Sequence, residues 1–252
     1  MDGPAVCQLD ETASTQDVLH EMAAAGAVTG SAVVARAQTG GRGRRGRSWT
    51  SPPGGLWLSV LCRPPADGAL DVLSLRVGLA VSGALEAACP GTRLALKWPN
   101  DLVLTDRKVG GILCEARWQG GAPGWVAVGL GLNVCNAIPE DLAAVAIALA
   151  AVAPDATPGG LQEGLLGAIR HAGGQGGPLR PAELAAWAAR DWLAGRRLAA
   201  PVAGRAAGLS ADGALQVTTD DGATELVRAG TVELDPGAPG APGAPQGGAF
   251  RP

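Results

Sequence analysis

Gln38-Thr39-Gly40-Gly41-Arg42-Gly43-Arg44-Arg45-Gly46-Arg47-Ser48-Trp49 is the stretch from which the rest of the chain is read. Arg42, Arg44, Arg45 and Arg47 stand on a backbone loosened by Gly40, Gly41, Gly43 and Gly46. Glycine lets a backbone approach a bound group closely and turn successive N–H donors toward it. Arginine adds a planar fork of donors matched to carboxylate or phosphate. The pattern describes a mobile loop that closes over something small and anionic. Taken alone, it equally describes a solvated basic loop or one that meets nucleic acid.

Working outward, Lys97-Trp98-Pro99-Asn100-Asp101 is followed closely by Arg107-Lys108-Val109-Gly110-Gly111-Ile112-Leu113. Lys97 and Lys108 are the only lysines, and asparagine occurs only at Asn100, Asn133 and Asn136. Residue types scarce elsewhere gather in these motifs, as expected where arginine cannot replace a compact ammonium. The formal net charge is −3, which argues against the extended basic face that bulk nucleic-acid binding requires. A local cationic cluster in an acidic chain reads as a small-ligand site.

With Ser14-Thr15-Gln16 near the start and Gly129-Leu130-Gly131-Leu132-Asn133 later, the order and spacing of these motifs resemble the biotin protein ligases from about residue 10 to about residue 235. The resemblance implies an α+β fold: a mixed β-sheet flanked by helices, like the class II tRNA synthetases, then a small SH3-like β-barrel. It implies a catalytic biotin- and ATP-binding domain over 1–194 and a C-terminal β domain over 195–235. A disordered Gly/Ala/Pro tail is expected over 236–252, where Gly-Ala-Pro repeats. Some family members carry a helix-turn-helix domain ahead of the Ser-Thr motif. Ser14 lies too close to Met1 for one, so no DNA partner and no repressor role are expected.

At 252 residues the chain can hold one good-sized domain with a small appendage. Strands are expected over 5–9, 31–37, 56–62, 94–98, 109–116 and 125–134, the last two as a hairpin around 119–124. Helices are expected from Ser14 or Thr15 to about 25, over 71–88, and in Ala-rich stretches at 140–151, 161–172 and 181–194. Short strands with turns at 210–213 and 220–222 follow. The five cysteines show no metal-ligand spacing. No signal-peptide pattern and no apolar run of about 18 residues is present. A cytoplasmic protein with no membrane partner and buried, reduced cysteines is the expectation.

The chemistry implied is the joining of a carboxylic acid to a lysine, with ATP and Mg²⁺ arriving as a substrate complex, biotin as substrate and no tightly bound cofactor. The carboxylate attacks the α-phosphate, pyrophosphate leaves, and an acyl-adenylate forms. Two mutually repelling anions must be neutralised and held in line. Lys97 suits a position between acid and α-phosphate. Arg42 and Arg44 suit phosphate oxygens or the carboxylate. By resemblance, Ser14, Thr15, Gln16 and Gln38 contact the ureido ring, with Arg42, Gly43, Arg44 and Lys97 also in the biotin site. Ser14 and Thr15 serve equally as helix caps. Gly110 and Gly111 let a strand lie against the ring or acyl chain, or mark a bulge. Arg42, Arg44, Trp49, Asn100, Lys108 and Asn133 are the nucleotide candidates. Asp101 is the candidate Mg²⁺ ligand or acceptor-lysine guide; Asp101 and Lys108 read alternatively as a surface ion pair. The partner implied is the biotin carboxyl carrier domain of a carboxylase, with a homodimer left open. A lipoate-type acyl ligase and a nucleic-acid-binding module are the alternatives.

Overall fold

Ser14 separates strand β1 (Val6–Thr12) from helix α1 (Thr15–Ala24). Its extended backbone and its hydroxyl, which accepts the N–H of Gln16 at 3.3 Å, satisfy an otherwise free donor of the first turn. Gly26, at φ 94°, ends the helix in a conformation that costs glycine little. The chain then enters β2 (Ala32–Gln38), parallel to β1. The structure is a computed structural model that describes residues 3–65, 70–120 and 122–237.

Five further strands extend this sheet: β3 (Leu56–Cys62), β4 (Ala95–Lys97), β5 (Asp101–Leu104), β6 (Arg107–Gln119) and β7 (Ala122–Leu132). Their order is β1-β2-β3-β7-β6-β5-β4, antiparallel beyond β2. Alternate residues on a strand point to opposite faces. On the back face Val34, Leu58, Leu130, Ile112, Leu102 and Leu96 all stand in one buried core, closed by α2 (Leu73–Ala88) and α3 (Pro158–Gly173). Burying each such leucine contributes roughly 1.5–3 kcal/mol. On the front face α1 covers only one end, where Leu19 and Ala23 meet Val33, Leu61, Ala127 and Trp125. The rest of the front face is left for the site.

After α4 (Pro181–Ala188) comes a five-stranded antiparallel sheet: β8 (Arg197–Ala200), β9 (Gly204–Leu209), β10 (Leu215–Thr218), β11 (Thr224–Val227) and β12 (Glu233–Leu234), ordered β11-β10-β9-β8-β12. Its Leu198, Leu215, Val217 and Val227 join the same core as the large sheet. The Trp98 indole N–H donates to the carbonyl of Gly213 at 3.0 Å and ties the two sheets together. No helix among the described residues is long and apolar enough to cross a membrane.

Three local expectations change. The Ala-rich segment 140–151 is not a helix. It forms short 3₁₀ turns at Glu140–Leu142 and Leu149–Ala151, and between them it runs along β6: Lys108 N–H bonds to Val145 O at 2.8 Å and Ile147 N–H to Lys108 O at 3.0 Å. The expected helix 181–194 stops at Ala188, because residues 190–192 pair with the free edge of β4, Leu96 bonding to both Arg190 and Trp192. In both places unpaired strand edges outcompete alanine's helix preference. Strand β5 is an addition to the expected elements. The expected turn at 119–124 includes position 121, and the expected tail runs from position 238 onward, outside the described residues.

Arg76 of α2 is buried, 4% exposed, and is met by both oxygens of Glu183 (2.7 and 3.3 Å) and by the carbonyls of Gln175, Gly177 and Pro178. The pair holds α4 on the core. Removing one partner of a buried pair costs about 3–5 kcal/mol. Glu183→Ala should lower the urea midpoint accordingly, and an unchanged midpoint would show that the pair does not hold α4.

Candidate active site

Cross-strand pairing lines up Lys97, Asp101, Gly111, Gly131 and Trp57 in one row on the front face. The next row holds Leu113, Gly129 and Ser59. Gly111, Gly129 and Gly131 therefore floor a groove of bare backbone, roofed by the Gln16, Trp49 and Lys108 side chains. A Cβ on Gly129 would stand 2.6 Å from Gln16 Nε2, and one on Gly131 2.7 Å from Trp49 Nε1. Neither close approach leaves room for a larger residue.

Hydroxyls and amides gather at one end of the groove. Gln38 Oε1 accepts from the Thr15 backbone at 2.9 Å and from its hydroxyl at 3.1 Å, while Gln38 Nε2 donates to Ser51 Oγ at 2.9 Å. Thr15 Oγ1 and Ser59 Oγ are 2.8 Å apart. Gln16 Nε2 donates to Leu113 O at 2.9 Å, yet its Oε1 is buried with no partner among the described residues. An orphaned buried acceptor costs about 1–3 kcal/mol unless a ligand satisfies it.

Cations gather at the other end. A register shift between Leu102 and Val103 puts Lys108 opposite Val103, on the front face, although its position in the alternation would aim it at the core. Lys108 Nζ lies 2.7 Å from Asp101 Oδ1 and 4.9 Å from the centroid of the Trp49 ring. The ion-pair alternative for Asp101 and Lys108 is thus realised, each with the other. Lys97 Nζ lies 5.0 Å from the centroid of Trp192. Burial pulls the Lys97 pKa below its ordinary value; Asp101 opposes this, while Lys108, Arg196 and Arg47 add to it.

The Gly-Arg loop folds on itself. Gln38 pairs with Ser51 and Arg42 with Ser48, and the Gly43 N–H donates to Arg47 O at 2.6 Å. Arg42 is bidentate on Asp17 (both 2.7 Å) and also reaches Glu115 at 3.3 Å. Its bond to Asp17 holds that carboxyl below the usual range and raises the guanidinium. Glu115 continues to His20 Nε2 at 3.7 Å, and His20 Nδ1 accepts from Trp125 at 3.0 Å. Arg44 points elsewhere, donating to Asn100 Oδ1 at 3.4 Å; burial lowers its pKa. A cavity of about 410 Å³ opens there, lined by Arg44, Asn100, Leu113, Cys114, Asp212 and Arg228 among others.

Two candidates stand apart from the groove. Gly110 faces the core: a Cβ there would meet Gly131 O at 2.8 Å and the Leu102 and Leu132 side chains. Its reason for being glycine is close strand packing. Asn133 spends its Oδ1 on Asn136 Nδ2 at 3.2 Å. Asn100 is pinned by its Nδ2 to Ile112 O at 2.7 Å. Among the described residues no three His, Cys, Asp or Glu side chains form a group that would hold a metal ion. Sequence reading missed Ser59, Ser51 and the floor role of Gly129 and Gly131. A lone serine in the apolar strand Leu56–Cys62 was the available signal for Ser59.

Residues 9–133 match the Biotin/lipoate A/B protein ligase family, and residues 195–235 match the Biotin protein ligase C terminal domain. A Paracoccus denitrificans protein named biotin--[acetyl-CoA-carboxylase] ligase is 45% identical over 135 residues, 52% of each chain. A Mycobacterium tuberculosis protein of the same name is 40% identical over 161 residues, 59% of this chain and 58% of that one. The chain spans about half the length of the curated relatives it matches. The solved structure of the Aquifex aeolicus biotin protein ligase in complex with biotin and ATP superposes with a TM-score of 0.78 at 30% identity, over 92% of this chain and 98% of that one. The Leishmania major biotin protein ligase in complex with biotinyl-5-AMP gives 0.64 at 27%, over 90% and 100%.

The Arg42–Asp17–Glu115 contact anchors the root of the loop. A half-exposed ion pair contributes about 0.2–1 kcal/mol, so Asp17→Asn should raise the open population and tryptic cutting after Arg42 to Arg47 about two- to fivefold. Equal cutting rates in both proteins would show that the loop is held by its hairpin bonds alone.

Proposed function

We propose that this chain, which belongs to the biotin protein ligase family, activates biotin with ATP and passes the biotinyl group to a lysine of a biotin carboxyl carrier domain. The observation that carries this reading is the glycine-floored groove with neutral donors and acceptors at one end and two ammonium groups at the other. Biotin has the matching polarity: a urea at one end, an apolar chain, and a carboxylate at the other. We read residues 1–194 as the catalytic unit and 195–235 as its C-terminal companion.

In the first step a carboxylate oxygen of biotin attacks the α-phosphorus of ATP. The bond to the β-phosphate oxygen breaks, and pyrophosphate leaves with its electron pair. Lys97 and Lys108 reduce the repulsion between the two anions as they meet, and Arg44 supplies a further donor as the loop moves. In the second step the acceptor lysine Nζ attacks the acyl carbon, AMP leaves, and the amine loses a proton. The same cations stabilise the tetrahedral oxyanion. Trp49, lying over Gly131, is suited to cover the adenylate from water. Mg²⁺ would arrive on the triphosphate and help neutralise it, and Asp101, beside Lys108 at 2.7 Å, would be a carboxylate able to supply it an oxygen ligand.

The unpartnered Gln16 Oε1 favours biotin over lipoate. A urea N–H satisfies that acceptor; the dithiolane ring of lipoate has no donor to offer.

Biotin-dependent ATP–pyrophosphate exchange by the purified chain tests the reading, and exchange driven by lipoate instead of biotin would replace it. Lys97→Arg should lower the exchange rate about 10²–10³-fold, since a guanidinium fork cannot stand in for a compact ammonium between two anions. Gly129→Ala pushes the Gln16 amide aside and should raise the biotin Kd about tenfold in calorimetry, the size of one lost buried hydrogen bond. An unaltered Kd would remove Gln16 from ureido recognition.

A further inference from the structure

Lys97 has no carboxylate partner among the described residues, whereas Lys108 and Arg42 do. Its cross-strand neighbour Asp101 is taken by Lys108 at 2.7 Å, and Arg42 is taken by Asp17 and Glu115. Lys97 instead rests against the Trp192 ring, 5.0 Å from its centroid. A carboxylate partner would occupy the ammonium's N–H groups and cancel its charge. An aromatic face attracts the charge and leaves all three donors free. For an amine that must bind two anions at once, the second kind of contact is the useful one.

The ring itself is fixed by polar partners. Trp192 Nε1 donates to Asp106 Oδ1 at 2.7 Å. Arg196 donates to the same oxygen at 3.1 Å and sets its guanidinium carbon 3.9 Å from the Trp192 centroid. Asp106 reaches them because Thr105 and Asp106, between β5 and β6, both adopt left-handed backbone, φ 46° and 61°. Positive φ at both central residues is what a tight two-residue hairpin turn requires, and Leu104 pairs directly with Arg107 across it. The Trp192 backbone is bonded to Leu96, next to Lys97, at 2.9 Å. Arg190, two residues earlier, is bidentate on Glu86 at 2.7 Å. The segment leading into the C-terminal sheet is thereby clamped on both sides of Trp192.

We propose that Trp192 is a positioning residue for the reaction: its ring holds the Lys97 ammonium at the end of the groove without neutralising it, and Asp106 with Arg196 holds the ring. The segment joining the two sheets then sets where the Lys97 ammonium sits. A four-carbon stem otherwise samples many rotamers, so loss of the ring should leave substrate binding intact and lower the fraction of bound complexes that are in line to react.

The proposal rests on the ligase reading of Lys97, and steady-state ATP–pyrophosphate exchange separates the two. With the wild type active, Trp192→Leu should lower kcat about tenfold or more while the KM for biotin stays within about twofold. Trp192→Phe, which keeps an aromatic face, should restore most of that loss. A rise in KM with kcat unchanged, an equal fall in kcat for Leu and Phe, or no fall at all overturns the positioning role. If Trp192→Leu does not fold, Asp106→Ala removes the acceptor shared by Trp192 and Arg196 without emptying the ring's place, and should lower kcat about two- to threefold with KM unchanged, the part of the loss that Trp192→Phe does not restore; an unchanged kcat in that variant overturns the positioning role as well. A wild type that exchanges nothing overturns the ligase reading and this proposal with it, whereas an active wild type with silent Trp192 and Asp106 variants overturns this proposal alone.

Discussion

In a pleated sheet every side chain must go to one face or the other, and the rest of this molecule depends on how that choice falls along β6 and β7. On the back, Ile112, Leu130 and Leu132 fill the core. On the front, Gly111, Gly129 and Gly131 offer only backbone. A sheet stripped on one face stays firm because its other face is packed to a density near that of an organic crystal. The glycines lose chain entropy on folding, and the apolar residues alternating with them offset it. Groove and core are consequences of one alternation.

Around that floor, the electrostatics sort into two kinds of holding. Arg42 and Lys108 are each bonded to carboxylates, which order their side chains and occupy their donors. Such pairs serve as anchors: Arg42 ties the loop root to α1, and Lys108, turned frontward by a register shift, braces Trp49 and Asp101. Lys97 and Arg196 meet the Trp192 ring, and a ring attracts charge without consuming it. Lys97 thereby keeps its donors free for a ligand, while Arg42, Lys108 and Arg196 also brace the frame through carboxylates. Lys97 pairs with Asp101 across the strands, and the register shift brings Lys108 to the same Asp101, so the backbone register decides the separation of the two lysines.

The helix that did not form over 140–151 and the one that stops at Ala188 carry a common lesson. Over 140–151 and 189–194 the local preference is helical, but β6 near Lys108 and β4 at Leu96 present backbone donors and acceptors that need partners. Helix propensity amounts to tenths of a kcal/mol per residue, whereas a buried backbone group left unpaired costs about 1–3 kcal/mol. The longer-range term wins. Strand β5 was hidden for the related reason that Asp101-Leu102-Val103-Leu104 reads as the continuation of a turn, and becomes a strand only when β4 and β6 lie on either side of it.

By itself the sequence determined the family, the order of the elements around the loop and the chemical types gathered there. Glycine spacing, scarce lysines and the Lys97–Asp101 motif are local features, and local features survive in a linear string. Alternation marked 56–62 as a strand, and the structure shows Leu58 on its core face. Only the tertiary structure decided that Gly110 turns inward while Gly111 floors the groove, that Lys108 crosses to the front face, that Arg42 is held by Asp17 and Glu115, and that Trp192 comes to rest against Lys97. Each of these depends on a register or a contact between segments far apart in the chain. Register is set by the packing of whole sheets, where a slip of one residue exchanges the two faces, and no window of sequence around Lys97 contains Trp192.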